Sequence, residues 1–307
     1  MIWSCRDIKR WHAEEIWVAE AGVDMIKVYS YLNKDVFLAI VEEAQKYGRK
    51  VVGHIPDSIY VEDAAAAGMQ SSEHPFGYEK IIAKILGEPV KLHYAGMGSD
   101  LRYFQRLDQA DPEELQGVYA RIRACGMTIC PTIITFQIGT GLKAFQAGSF
   151  PRSEYISAQV RNIWNSLWSQ QADLPDYIWQ TWAQMVRAFN QAGIPLLVVT
   201  DLMFPGILPG YSVHQEMELW QQAGIPPVDV LRSATSVPAQ FMGLGHRLGS
   251  VSVGKTASLV LVRANPLDDV RHAQQIEGVF LRGGYFNRKD LDRLLAEAKE
   301  LASQANS

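Results

Sequence analysis

Apolar residues along this chain recur in two alternating rhythms, short strand-like runs and longer stretches spaced at three and four. Ile8, Trp11, Ile16 and Ala19 fall at helical spacing, so the chain opens on a helix over about residues 8–20, stopped by Gly22. Residues 24–29 then read as a strand in which period two places Met25, Lys27 and Tyr29 on one face and Ile26 and Val28 on the other. Asn33 stands where a cap belongs, before an apolar stripe of Val36, Phe37, Ile40, Val41, Ala44 and Tyr47 that ends at Gly48. A second strand runs from Lys50 to His54. An alanine-rich helix at about 61–67, closed by Gly68, leads to a third strand that ends at His74. Strand, helix, strand twice in succession predicts parallel strands joined by crossovers.

The middle of the chain is looser. Asp111-Pro112-Glu113-Glu114 starts a helix, and residues 127–132 form the next strand. Between 153 and 191 the chain carries Trp164, Trp168, Trp179 and Trp182 on two helices broken at Leu174-Pro175-Asp176. An insertion packed on itself and a lid over an apolar pocket both fit that cluster. A strand over 196–201 ends at Asp201 and runs into a turn-rich loop over 204–210. Helices follow at about 213–223 and 227–235. Beyond Gly243, runs at 248–251, 257–262 and 278–281 read as short strands, and a helix over about 289–302 closes the sequence.

With 307 residues, 48% hydrophobic and 20% charged, the chain can bury one large core. A net charge of -4 and scattered Lys and Arg leave no electrostatic footprint for nucleic acid. Cys5, Cys125 and Cys130 have no CxxC spacing, which predicts buried or free thiols rather than disulfides or a cysteine zinc site. No apolar run approaches the ~20 residues of a membrane span. Residues 1–7 do not read as a signal peptide, so the cytoplasm is the default compartment and no membrane partner is expected.

The chemistry lies at the strand ends. In a barrel of parallel strands functional side chains sit at the carboxyl ends, where the loops build the pocket, and His54, His74 and Asp201 all occupy that position. Two imidazoles suit zinc or a similar borderline ion, and an open coordination position lowers the pKa of a water toward ~7. A neighbouring carboxylate then serves as general base, the role expected of Asp201. Lys27, inside a strand, either snorkels to the mouth or is buried. Burial would lower its pKa and let the neutral amine take up carbon dioxide as a carbamate, a carboxylate-like ligand. The other histidines, His12, His93, His214, His246 and His272, lack such placement, with His214 the strongest exception because it follows the last barrel loop.

These residues resemble the amidohydrolase superfamily, especially its imidazolonepropionase- and prolidase-like branch. The match runs through Gly22-Val23-Asp24-Met25-Ile26-Lys27-Val28-Tyr29, Val52-Gly53-His54, Ser72-Glu73-His74 and Thr200-Asp201. It continues in Gly254-Lys255-Thr256-Ala257-Ser258-Leu259-Val260 and Asn265-Pro266-Leu267. The resemblance implies an α/β fold of the (β/α)8 TIM-barrel type, followed by part of a small β-sandwich. Residues 1–243 would form the barrel, with the Trp-rich insertion at about 150–192, and residues 244–307 the sandwich strands and terminal helix. It implies Lys27 as a carboxylated bridging ligand, His54 and His74 as ligands of a second zinc, and Asp201 as ligand of the first zinc and proton shuttle. The implied reaction is hydrolysis of an amide or related bond in a small molecule, such as a dipeptide or N-acyl amino acid.

One departure is large. The family's first barrel strand ends in a His-x-His pair that binds the first metal, and this sequence contains no such pair. About five of the barrel's eight strands are countable. The expectation is therefore an incomplete barrel with one zinc or none, Met1 need not be the natural start, and export is left open. An open barrel edge also suits pairing with a second copy of the chain. The competing reading is a truncated family member that binds without catalysing, with Lys27 an ordinary amine.

Overall fold

A computed structural model of the chain describes residues 22–90, 101–142, 150–168, 173–202 and 204–304. The helix expected at 8–20, His12, His93 and Cys5 lie outside them. The described elements run β1 (Met25–Val28), α1 (Lys34–Lys46), β2 (Lys50–Gly53), α2 (Val61–Ala67), β3 (Ser71–Glu73), α3 (Glu79–Ile85), α4 (Pro112–Ala124) and β4 (Thr128–Cys130). They continue with α5 (Ile133–Gly139), α6 (Ala158–Trp168), α7 (Tyr177–Gln191), α8 (Ser212–Gln222), α9 (Pro227–Ala234) and α10 (Ser236–Phe241). The last are β5 (Leu259–Val262), β6 (Ile276–Leu281), β7 (Gly284–Asn287) and α11 (Arg288–Gln304). They divide into two compact units, one of residues 22–131 with Gln180–Leu197, the other of Thr132–Trp179 with the residues from Val198 onward.

The first unit is built on a parallel sheet in the order β1-β2-β3-β4, and the barrel is not closed among the described residues. The strand expected at 196–201 contributes one parallel bridge, Ile129 to Leu196, framed by Ile129 N–H to Pro195 O and Leu197 N–H to Ile129 O, both at 3.0 Å. The pairing goes no further, and Val198 N–H donates to Ser233 O at 3.0 Å. Alternation in β1 is as expected: Ile26 and Val28 are buried and Lys27 is exposed. Helix α1 buries Val36, Phe37, Ile40, Val41 and Ala44, whereas Tyr47, at its C-cap, stays out of the stripe. Each of the larger side chains, Val36, Phe37, Ile40 and Val41, contributes roughly 1.5–3 kcal/mol of transfer free energy. Trp182 is wholly buried against Tyr78, Phe104 and Phe189, and its Nε1–H donates to Pro131 O at 2.9 Å.

Asn33 caps α1 as the sequence predicts, its Oδ1 accepting Val36 N–H at 2.9 Å. Asn33→Ala is expected to lower stability by about 1 kcal/mol, read as a shift of the urea midpoint at constant slope. An unchanged midpoint would show that the bond is worth no more than the water it displaces.

In the second unit Trp164 and Trp168 pack with Leu142, Ile156 and Leu208. The tryptophan-rich segment therefore does not pack on itself alone: its own residues are shared between the two units, because apolar faces on α6 and α7 are covered by different neighbours. An antiparallel sheet, β5-β6-β7, follows. Strand β7 went unforeseen. It pairs with β6 across Arg282-Gly283, both at positive φ, a two-residue hairpin turn whose sequence hides the usual Asn-Gly signal. The strand expected at 248–251 is absent. Gly249 takes φ 88° and a Cβ there would stand 2.6 Å from Ala239 Cβ, so the run bends onto α10 instead of extending. Among the described residues no helix is long and apolar enough to cross a membrane.

Candidate metal centre

Three of the four expected site residues lie in the first unit, on adjacent strands. Strand β2 ends at Gly53, whose φ of 121° turns the chain so that His54 N–H donates to Val28 O of β1 at 3.1 Å. This turn tucks the His54 ring under the strand ends, 4% exposed and stacked on Tyr29 with centroids 4.1 Å apart. Its Nδ1 lies 3.0 Å from Ser30 Oγ. The tautomer that leaves Nε2 with a free lone pair is the one in which Nδ1–H donates to that hydroxyl.

His74 follows β3 in the left-handed region, φ 65°, with its N–H bonded to Cys130 O at 3.0 Å. A histidine there is strained by roughly 1–3 kcal/mol, and such residues concentrate at functional positions. The ring is 6% exposed and meets His54 edge-on at 4.8 Å, with Phe76 flanking both. Burial first, then the positive charge of Lys27, lowers the His54 pKa to about 4. Burial, then His54 and Lys27, lowers His74 to about 3. Both imidazoles are therefore neutral at physiological pH, the form that donates to a metal.

Lys27 does not follow the burial route. Its side chain is 53% exposed and its Nζ stands 2.5 Å from Glu73 Oε2, so this face of the strand is open and the lysine pairs with a carboxylate. Glu73 itself was missed in the sequence. It forms, with His54 and His74, a group whose ligand atoms all lie within 4.8 Å of one another. The signal was its place beside His74 at a strand end. Two neutral imidazoles and a carboxylate are a donor set that fits a borderline divalent ion such as zinc.

Asp201 belongs to the second unit. It is exposed, takes φ 56°, and its carbonyl accepts Phe204 N–H at 3.0 Å in a turn. Like His74 it holds a left-handed backbone at the end of an expected strand. Of the other histidines, His214 has its pKa lowered by burial, and exposed His272 bonds Asn265 O through Nδ1 at 2.8 Å. Cys125 and Cys130 are free thiols, and burial pushes Cys130 up to about 12.

The sequence profile described as "Amidohydrolase family" matches residues 29–284. Among solved structures, a bottromycin amidohydrolase superposes with a TM-score of 0.70 at 24% identity, over 98% of this chain and 63% of that one. A putative prolidase from Bifidobacterium longum gives 0.58 at 22% identity, over 97% and 65%. A Xaa-Pro dipeptidase with bound methionine in its active site gives 0.58 at 16%, over 92% and 59%. The chain thus spans less than two thirds of each of these proteins, and at such identities the likeness is one of fold. No curated protein sequence matches the chain.

Proposed function

This chain belongs to the amidohydrolase family, and on that premise we propose that it is a metal-dependent hydrolase of amide bonds in small molecules, dipeptides or N-acyl amino acids. The observation that carries the reading is the pair of buried, neutral imidazoles, His54 and His74, facing each other at the ends of parallel strands. When bound, a zinc ion would polarise the scissile carbonyl and acidify a water.

The chain's own residues supply the rest. His54, oriented by Ser30 and by stacking on Tyr29, and His74, fixed by its bond to Cys130 O, present lone pairs without first shedding a proton. Tyr29 and Phe76 wall the imidazoles with aromatic surface, which excludes water from one side. Asp201 is assigned the proton-acceptor role, and a metal-ligand role, from its Thr200-Asp201 motif alone. Lys27 is assigned as the carbamate ligand, reached once its amine leaves Glu73.

Dipeptides with proline at the carboxyl side are the substrates to try first, because two of the fold neighbours are named prolidase and Xaa-Pro dipeptidase, and N-acyl amino acids stand beside them. Turnover that disappears on dialysis against a chelator and returns with zinc is the expected result. The Lys27–Glu73 ion pair favours a second reading, in which Lys27 is an ordinary amine and the chain binds without catalysing. Zinc binding with no turnover of any of these substrates would select it, and turnover indifferent to chelation would overturn both.

A further inference from the structure

Lys80, in the first turn of α3 just beyond the loop that carries His74, is a lysine only 4% exposed. Burial lowers its pKa, offset in part by Glu79 and Asp57, so a cation is held where water cannot solvate it. We propose that Lys80 is a positioning residue of the metal centre, one that ties the loop after His54 to the helix after His74 and thereby sets the orientation and spacing of the two imidazoles. The inference rests on reading His54 and His74 as ligands, and goes beyond it in naming what holds them in register.

The contacts run in sequence from α3 to the His54 ring. Lys80 Nζ donates to Asp57 O at 2.8 Å, with Asp57 Oδ1 3.8 Å away. Asp57 N–H donates in turn to Ser30 O at 2.9 Å, and Ser30 Oγ stands 3.0 Å from His54 Nδ1. Lys80 therefore grips the residue whose amide fixes the Ser30 backbone, and Ser30 holds the ring. A second junction lies three residues earlier. Gly77 takes φ 95°, and a Cβ built there would stand 3.0 Å from Ile55 Cβ and Cγ2, so the loop after His74 presses on the residue next to His54. Glu79 Oε2 accepts Gly77 N–H at 2.8 Å, which joins that loop to the first turn of α3. Both junctions thus fall within residues 77–80. An apolar side chain would fill the space of Lys80 without the cost of burying a charge. It would give Asp57 O no donor, and the donor is what the lysine adds.

The test is Co2+ titration of the 307-residue chain, read by calorimetry and by the visible spectrum of the bound ion, beside long-range 1H–15N spectra of the imidazoles in the metal-free chain. Lys80→Met keeps the methylene stem and removes the donor. It should weaken Co2+ binding by roughly 10–100-fold, the usual loss when a ligand's supporting partner is removed. It should also alter the spectrum of the bound ion and give His54 as a mixture of tautomers where the wild type shows one. Lys80→Gln, which offers Asp57 O a shorter, uncharged donor, should bind between the two. The effects of Lys80→Met and Ser30→Ala should be less than additive, because both cut the same chain of contacts. Asp111→Ala removes the cap of α4. It should lower the urea midpoint and leave Co2+ affinity and both spectra unchanged, which separates positioning from plain loss of stability. Binding that depends on His54 but is as tight in Lys80→Met as in the wild type would overturn the inference while leaving His54 and His74 as ligands. Binding indifferent to His54→Ala, or no binding at all, would overturn both. If Lys80→Met fails to give the wild-type circular dichroism spectrum, Lys80→Gln takes its place, and wild-type affinity with a single His54 tautomer in that variant would overturn the inference.

Discussion

Gly53→Ala is expected to destabilise the chain by about 2–6 kcal/mol, the combined scale of backbone strain and overpacking, and to cost it metal affinity at the same time. Gly53 takes φ 121°, which side chains with a Cβ rarely adopt. A Cβ built there would stand 2.2 Å from Val28 O and 3.1 Å from both Val28 N and Lys27 Cγ. The first of these is backbone, which cannot swing aside as a side-chain tip can. Relief requires β2 to part from β1 or the peptide to turn over. Either movement breaks the His54 N–H bond to Val28 O, the contact that turns His54 under the strand ends. Fold and site should therefore fail together. The check is a urea titration beside a Co2+ titration of the same preparation, and a variant with the wild-type midpoint and wild-type affinity would refute the account. Weakened metal binding at full stability would point instead to a local turn that relaxes without parting the strands.

That coupling explains what was legible in the sequence. Caps, helix stops and alternation are decided within a few residues, so Asn33, Gly68, Asp111 and the inward face of β1 could all be read directly. The histidines could be read because each directly follows a strand, and strand ends are where parallel sheets place their chemistry. Glu73 could not be paired with Lys27 on the same grounds. Their strands are separated in the sheet by β2, and only the folded register brings Nζ to Oε2. Whether Lys27 snorkels or is buried could not be read for a related reason: a lysine inside a strand is buried only if something covers that face, and exposure of a face is a tertiary property. The strand at 248–251 failed because a single glycine at positive φ against α10 outweighed the apolar run.

Left-handed backbone at non-glycine residues was equally invisible. His74, Thr132 and Asp201 each stand at the end of a strand expected from the sequence and take φ of 65°, 47° and 56°. The two residues that follow Thr132, Ile133 and Ile134, donate their N–H groups to Glu216, a residue more than eighty positions away. Its role follows from the donors it meets, which makes it the second place where one substitution should have a large effect.

Glu216→Ala is expected to cost about 3 kcal/mol or more, because it strands three buried donors worth roughly 1–3 kcal/mol each when unsatisfied. Glu216 is fully buried on α8. Its Oε1 accepts Ile133 N–H at 3.0 Å and Trp220 Nε1–H at 2.8 Å, and its Oε2 accepts Ile134 N–H at 2.7 Å. It thereby caps the first turn of α5, which follows Thr132 at φ 47° and has no side-chain cap of its own. Burial pushes its pKa from 4.5 up to about 7, against the pull of those three donors. Because the folded value lies above the unfolded one, the group's contribution to stability is fully present below pH 4.5 and is lost as pH rises through about 7. Glu216→Gln removes the titration. It keeps an acceptor for two of the donors but turns an amide N–H2 toward Ile134 N–H, so it should be less damaging than alanine and flat across this window. Urea unfolding at pH 5.5 and pH 8 for wild type and both variants separates the two effects. If Glu216→Gln loses as much stability as the wild type between those pH values, the dependence belongs to other groups. If Glu216→Ala matches the wild type at both, water has taken the carboxylate's place and the cap on α5 holds without it.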